Sequence, residues 1–215
     1  MITLLHPSRG RAIKAKATRN QWLEKASGDH EIEHIVSIDF DDQDKLNYVF
    51  AESTILCFHN ESVVDATNRA AKESTGDILV YLSDDFKCPD NWDKLIEQRL
   101  VRANKTIDDL WLMKVDDCLQ KYEVPVLTIP IMSRALYNKL GYFWNPLYKS
   151  MFVDEDLYWV CKNNNWIIDA PELKFPHEHP CNGKAENDET YKRSSANWEQ
   201  GKEVFRKRKI ANFPL

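Results

Sequence analysis

The segment Gly76-Asp77-Ile78-Leu79-Val80-Tyr81-Leu82-Ser83-Asp84-Asp85-Phe86 constrains this chain more than any other. An apolar run with β-branched members, opened by a glycine, predicts a buried strand. This one delivers two adjacent carboxylates at its C-terminal end. In open α/β sheets, ligands bind beyond the carboxyl ends of the strands. Two carboxylates at such a point suit a hard divalent cation that in turn holds phosphate oxygens. Solvated acids in an ordinary turn are the plainer alternative.

The rest of the chain supplies partners for that strand. Residues 2–5 read as a strand, 6–11 as a polar turn, and a helix runs on to about residue 26. Residues 33–39 and 54–59 read as further strands, separated by an acidic loop from Asp39 to Asp44. Ser62 has the chemistry of an N-cap for a helix through residue 74, with Gly76 as its stop signal. Residues 77–83 then form the strand described above, and 91–103 a helix. Beyond these, 110–115 and 124–130 read as strands, 133–140 as a helix ended by Gly141, 153–163 as a helix, 166–169 as a strand and 188–209 as one polar helix. Strands alternating with helices predict an α/β fold: one domain over 1–215 with a mostly parallel central sheet flanked by helices.

Composition narrows the setting. With 29 basic and 34 acidic residues the formal charge is −5, which argues against a general nucleic-acid binder. A hydrophobic content of 43% supports a substantial core. No stretch approaches the roughly 20 apolar residues of a transmembrane segment, and Met1 to Leu5 lack the regions of a signal peptide. The five cysteines are odd in number and form no CxxC pair, so the expectation is a reduced, cytoplasmic protein.

Other residues carry chemistry of their own. His177 and His179, flanked by Pro176 and Pro180, fall on one face of an extended segment, and imidazole is the commonest protein metal ligand. They complete a site begun by Asp85, or else are two loop histidines. Asp154, Glu155 and Asp156 open a helix, where the dipole favours anions. Asp154 shares a face with Leu157 and Cys161 and is therefore expected to point inward as a general base, with Asp156 turned away. Asp39 can accept the imide N–H of a uracil ring, and Arg9 and Arg11 can pair with a diphosphate. Asp41, Asp42 and Asp44 read as solvated loop charges, Asn68 and Arg69 as an exposed helix face, the basic stretch from Lys202 to Lys209 as a solvated one. The aromatic loop from Tyr142 to Tyr148 suits sugar stacking or core packing.

Taken in order, these pieces resemble family 2-type glycosyltransferases of the GT-A fold, over most of the chain. "LLHPSRGR" resembles the first strand and nucleotide loop; "VVDATNRAAKESTGDILVYLSDDFKCPDNW" resembles the helix, strand and DXD segment; "MSRALYNKLGYFWNPLYKSMFVDEDLYW" resembles the acceptor segment; and "HEHPCNGKAENDETYKRSSANWEQGKEVFRKR" is similar to the tail of several bacterial and viral members. The resemblance implies a nucleotide-binding half at 1–86, an acceptor half with a metal-ligand tail at 87–187 and a C-terminal helix at 188–215. It implies that Pro7, Ser8 and Arg9 line a base and ribose pocket, that Asp39 contacts the base, and that Asn68 matches the asparagine of an "ARN" element. It further implies that Asp84 binds ribose or the metal-bound donor, that Asp85 with His177 or His179 coordinates Mn²⁺ or Mg²⁺, and that Asp154 is the base. Ser83, Thr67 and Val153 depart from the family pattern at the first acid of DXD, the arginine of "ARN" and the glutamate of the ED motif, and Arg9 or Arg11 is expected to supply the charge that Thr67 lacks. The implied activity is inverting transfer of a sugar from a nucleoside diphosphate sugar, with a UDP-sugar favoured, to a glycan or other hydroxyl acceptor. A metal-dependent hydrolase and a non-catalytic sugar-nucleotide or glycan-binding module are the alternatives.

Overall fold

Strand β1 (Ile2–Pro7) buries all six of its residues, as a strand with layers on both sides must. The computed structural model describes residues 1–119 and 126–215. Strand β1 pairs in parallel with β2 (Ile32–Asp39) on one side and β4 (Ile78–Tyr81) on the other, and β2 pairs in parallel with β3 (Thr54–Phe58). Strand β6 (Pro130–Ser133) runs antiparallel to β4 and to β5 (Leu112–Asp116), and β5 pairs in parallel with β7 (Ile167–Lys174). The order among the described residues is β3-β2-β1-β4-β6-β5-β7, a mostly parallel sheet as expected.

The helices are α1 (Ala12–Glu24), α2 (Val63–Glu73), α3 (Trp92–Arg102), α4 (Arg134–Leu140), α5 (Val153–Asn163), α6 (Glu189–Ser195) and α7 (Trp198–Ile210). Ser62 caps α2 by accepting from the Asp65 N–H at 3.1 Å, and Ser133 caps α4 through Leu136. Gly141, at φ +77°, closes α4 in the left-handed conformation that glycine adopts without strain. One core cluster gathers Trp22, Trp92, Trp111, Phe86 and Phe175; another gathers Leu79, Met132, Phe143, Trp144, Tyr148 and Leu157. The Trp22 indole donates to Phe86 O at 3.2 Å and the Trp92 indole to Trp22 O at 2.7 Å, so neither ring buries an unpaired N–H.

Four expectations need correction. Residues 126–129 are not strand: β6 begins only at Pro130, while 124 and 125 lie outside the described residues. The strand expected at 166–169 runs on to Lys174, because parallel pairing with β5 continues past a bulge between Val115 and Asp116. The single helix expected at 188–209 is two, since α6 turns Tyr191 toward Asp85 while α7 lays Val204 and Phe205 against the core. Asp42 and Asp44 are not solvated charges. Their carboxylates accept from Gly10 N and Ala12 N, each at 2.8 Å, and so serve the N-terminus of α1, whose own N-cap Arg11 makes no side-chain cap bond.

Candidate active site

The parallel strands β1, β2 and β4 end side by side, and the residues just beyond them wall a cavity of about 370 Å³. Pro7, Ser8, Arg9, Arg11, Asp39, Asp84, Asp85, Asp154, His177 and His179 all line it. Asn68 does not. Its amide donates to Trp144 O at 2.7 Å and accepts from the N–H groups of Phe143 and Trp144 at 3.0 and 2.8 Å. It thereby ties α2 to the aromatic loop and sets the position of Trp144, which does line the cavity.

Asp84 is buried and held at both oxygens. Its Oδ1 lies 3.0 Å from His6 Nε2, its Oδ2 accepts from Ser8 Oγ at 3.0 Å, and the Arg11 guanidinium stands 4.0 Å away. Asp85 differs. Its Oδ2 accepts from the Tyr191 hydroxyl and lies 3.4 Å from His177 Nε2, while its Oδ1 is buried without a hydrogen-bond partner. Burial works to raise the Asp85 carboxyl, but His177 and then Tyr191 more than offset it and hold the group well below the usual carboxylate range. The histidine segment reaches this place through backbone bonds: Lys87 N to Pro176 O, Glu178 N to Asp85 O and His177 N to Asp117 O, at 2.9 to 3.0 Å. The His179 ring packs edge-on against both His177 and Tyr191, at 4.9 Å in each case. Among the described residues no three His, Cys, Asp or Glu side chains are gathered closely enough to hold a metal ion by themselves.

The two arginines are not free cations. Arg9 pairs with Asp39 and with Asp41, the latter at 2.6 Å, and Asp39 also accepts from Asn60 at 2.9 Å. Arg11 forms a two-pronged pair with Asp188, at 2.9 and 2.6 Å, and its guanidinium lies 4.7 Å over the Tyr191 ring. Asp188, Thr190 and Tyr191 were not among the residues singled out in the sequence. They lie 177 to 181 residues from Arg9 and Arg11 and 106 from Asp85, and a polar helix carries no local sign of such contacts.

Asp154, in the first turn of α5, also lines the cavity. Phe152, left-handed at φ +70°, aims that turn; its ring packs on Trp198 and Phe205. Burial raises the Asp154 carboxyl above its ordinary value and outweighs the backbone N–H groups of the helix start, which lower it. Asp156 faces away from the cavity, as expected, yet it is the more buried of the two. It accepts from Arg208 Nε at 2.5 Å, Tyr148 OH at 3.0 Å and Asn145 Nδ2 at 3.3 Å.

No protein-family model matches the sequence, and no curated protein does. Solved structures match in three dimensions. Staphylococcus aureus TarS 1–349 in complex with UDP-GlcNAc superimposes with a TM-score of 0.62 at 14% identity, over 81% of this chain and 57% of that one. The mannosyltransferase PcManGT of Pyrobaculum calidifontis, in complex with GDP-Man and Mn²⁺, gives 0.60 at 14% identity, over 85% and 58%. Mycobacterium tuberculosis glucosyl-3-phosphoglycerate synthase, in complex with Mn²⁺, UDP and phosphoglyceric acid, gives 0.58 at 15%, over 92% and 77%. The present chain spans 59% of the TarS 1–349 chain and 36% of the longer TarS chain. At such identities the likeness is one of fold, and the chain has the GT-A fold of these glycosyltransferases.

Proposed function

We propose that this chain is a metal-dependent glycosyltransferase of the family 2 type, moving a sugar from a nucleoside diphosphate sugar, with UDP favoured, to a hydroxyl acceptor with inversion. One observation carries the reading: a single cavity is lined by the acidic strand end, Arg11 and His177 and also by a desolvated carboxylate, Asp154. Its size falls within the range of small-molecule sites. The fold neighbours crystallised with UDP-GlcNAc, with GDP-Man and Mn²⁺, or with UDP and Mn²⁺ support a nucleotide-sugar donor and speak against the hydrolase alternative.

The donor set fits a hard divalent ion. Asp85 Oδ1 is buried and unpartnered, the same carboxylate's Oδ2 lies 3.4 Å from His177 Nε2, and an ion held by one carboxylate and one imidazole would complete its shell with phosphate oxygens. Asp85 and His177, with His179 adjoining, would hold Mn²⁺ or Mg²⁺, which when bound neutralises charge on the leaving diphosphate. Asp84, held by His6 and Ser8, presents a fixed carboxylate to the donor's ribose hydroxyls. Arg9 and Arg11 exchange Asp39, Asp41 and Asp188 for donor contacts. Asp154 takes the proton from the acceptor hydroxyl at Oδ, and its raised basicity suits that task. The division into a nucleotide half at 1–86 and an acceptor half at 87–187 follows, with one addition: Thr190 and Tyr191 of the C-terminal segment also line the donor side. Among the described residues no helix is long and apolar enough to cross a membrane, and the five free cysteines fit a reducing cytoplasm.

Calorimetric titration with UDP, with Mn²⁺ or with chelator, tests the donor site, and UDP release from UDP-sugars over a panel of acceptors tests transfer. Metal-dependent UDP binding is expected in the wild type and lost in Asp85→Ala; Asp154→Asn keeps that binding and loses transfer. Binding indifferent to metal and to Asp85, or a fully active Asp154→Asn enzyme, would sink the assignment. Binding with no transfer to any acceptor would favour the non-catalytic module.

A further inference from the structure

Two buried histidines lie beneath the cavity without touching it. His6 Nε2 faces Asp84 Oδ1 at 3.0 Å, His6 Nδ1 faces His34 Nε2 at 3.0 Å, and His34 Nδ1 faces Ser53 Oγ at 2.8 Å. Both rings are buried, and the His34 ring packs on Phe50 with centroids 6.1 Å apart. The Ser53 oxygen in turn accepts from Arg19 Nε at 3.0 Å.

With both rings neutral, the two ends of this row fix the direction of every bond. Arg19 has only donors, so Ser53 must accept from it. The one Ser53 proton then goes to His34 Nδ1 at 2.8 Å in preference to Ala51 O at 3.5 Å. With Nδ1 accepting, His34 carries its proton on Nε2 and donates it to His6 Nδ1. His6 accordingly carries its proton on Nε2 and donates it to Asp84, whose carboxylate only accepts. Burial, with the Arg19 guanidinium adding to it, keeps His34 well below the ordinary histidine range, consistent with a neutral ring.

A second row ends on the other Asp84 oxygen. Arg11 N–H donates to Tyr48 OH at 3.1 Å, Tyr48 lies 2.8 Å from Ser8 Oγ, and Ser8 donates to Asp84 Oδ2 at 3.0 Å. Because the Ser8 proton is committed to Asp84, the Tyr48 phenol must donate to Ser8.

We infer that His6 and His34 are positioning residues for the donor site, a one-way hydrogen-bonded relay from Arg19 that holds the Asp84 carboxylate in one orientation. Its consequence for donor affinity rests on the reading that Asp84 contacts the donor; the direction of the relay does not.

Nitrogen-15 spectra of histidine-labelled wild type, assigned with His6→Gln and His34→Gln, read the tautomers directly. Both rings are expected as neutral Nε2–H forms; an Nδ1–H form or an imidazolium at either position overturns the relay. His34→Phe removes the donor to His6 Nδ1, whereas the Gln amide of His34→Gln can replace it. Loss of one bond in a row ending on a charge is expected to weaken Mn²⁺-dependent UDP binding roughly tenfold in His34→Phe, with His34→Gln within about threefold of wild type. Wild-type affinity in His34→Phe, or an equal loss in both variants, overturns the positioning role. Should His34→Phe fail to fold, the wild-type tautomers still decide the relay. A wild type that binds no UDP would refute the transferase reading instead, and the tautomers alone would then judge the relay.

Discussion

Replacing Arg208 by methionine tests the element that holds α5, the helix that carries Asp154, in register. Asp156 is 1% exposed, and among the described residues Arg208 supplies its only cationic partner; Tyr148 and Asn145 are neutral donors. Removing one member of a buried pair leaves an uncompensated charge, a loss of about 3–5 kcal/mol. The Arg208 side chain retains 11% exposure, so water can reach the vacated place and the lower end applies, about 3 kcal/mol. For a chain of this size that corresponds to a fall in Tm of roughly 6–12 °C. Thermal and denaturant unfolding of wild type, Arg208→Met, Asp156→Asn and the double variant give the coupling directly. The reasoning predicts that adding Asp156→Asn to Arg208→Met recovers most of the loss, because the stranded charge is gone. A single Arg208→Met variant within about 0.5 kcal/mol of wild type, the range of ordinary surface changes, would refute it.

Two further predictions concern groups packed around the cavity. Burial, and then the neighbouring Asp154 charge, raises Glu155 from its ordinary 4.5 to about 7. The folded state therefore keeps a proton that the unfolded chain has already lost, so this contribution to stability is complete below about 4.5 and is lost as pH rises to about 7. Asp154 shifts in the same direction. Glu155→Gln should flatten the stability profile across that window, by less than the single-proton limit of about 1.4 kcal/mol per pH unit because the side chain is partly solvated; an unchanged slope in pH-dependent unfolding would count against it. Asn68→Ala should lower stability by about 2–3 kcal/mol through three lost bonds to the Phe143–Trp144 backbone. Tryptophan fluorescence should report a loosened Trp144, and an unaltered spectrum and melting curve would contradict the account.

Much of the cavity wall could be read locally. Periodicity placed the strands that carry Pro7, Asp39 and Asp84 to one edge, and Ser62 and Gly141 bounded their helices through cap chemistry that acts within three residues. The face of α5 placed Asp154 at the cavity for the same reason, since helical geometry is set by neighbours along the chain. The depth of Asp156 was not legible, because its partner Arg208 lies 52 residues away.

What the amino-acid sequence determined by itself was therefore the kind of fold, the ends of most elements and the two sets of carboxylates that line the cavity, all consequences of short-range period and capping. What only the tertiary structure decided was the state of each charged group. Asp42 and Asp44 became helix caps, Asn68 a clamp on the aromatic loop, Arg11 the partner of Asp188, and Asp84 the end of a histidine relay from β1 and β2. A side chain's protonation, orientation and availability depend on which groups the fold brings within about 3 Å. Those groups come from anywhere in the chain.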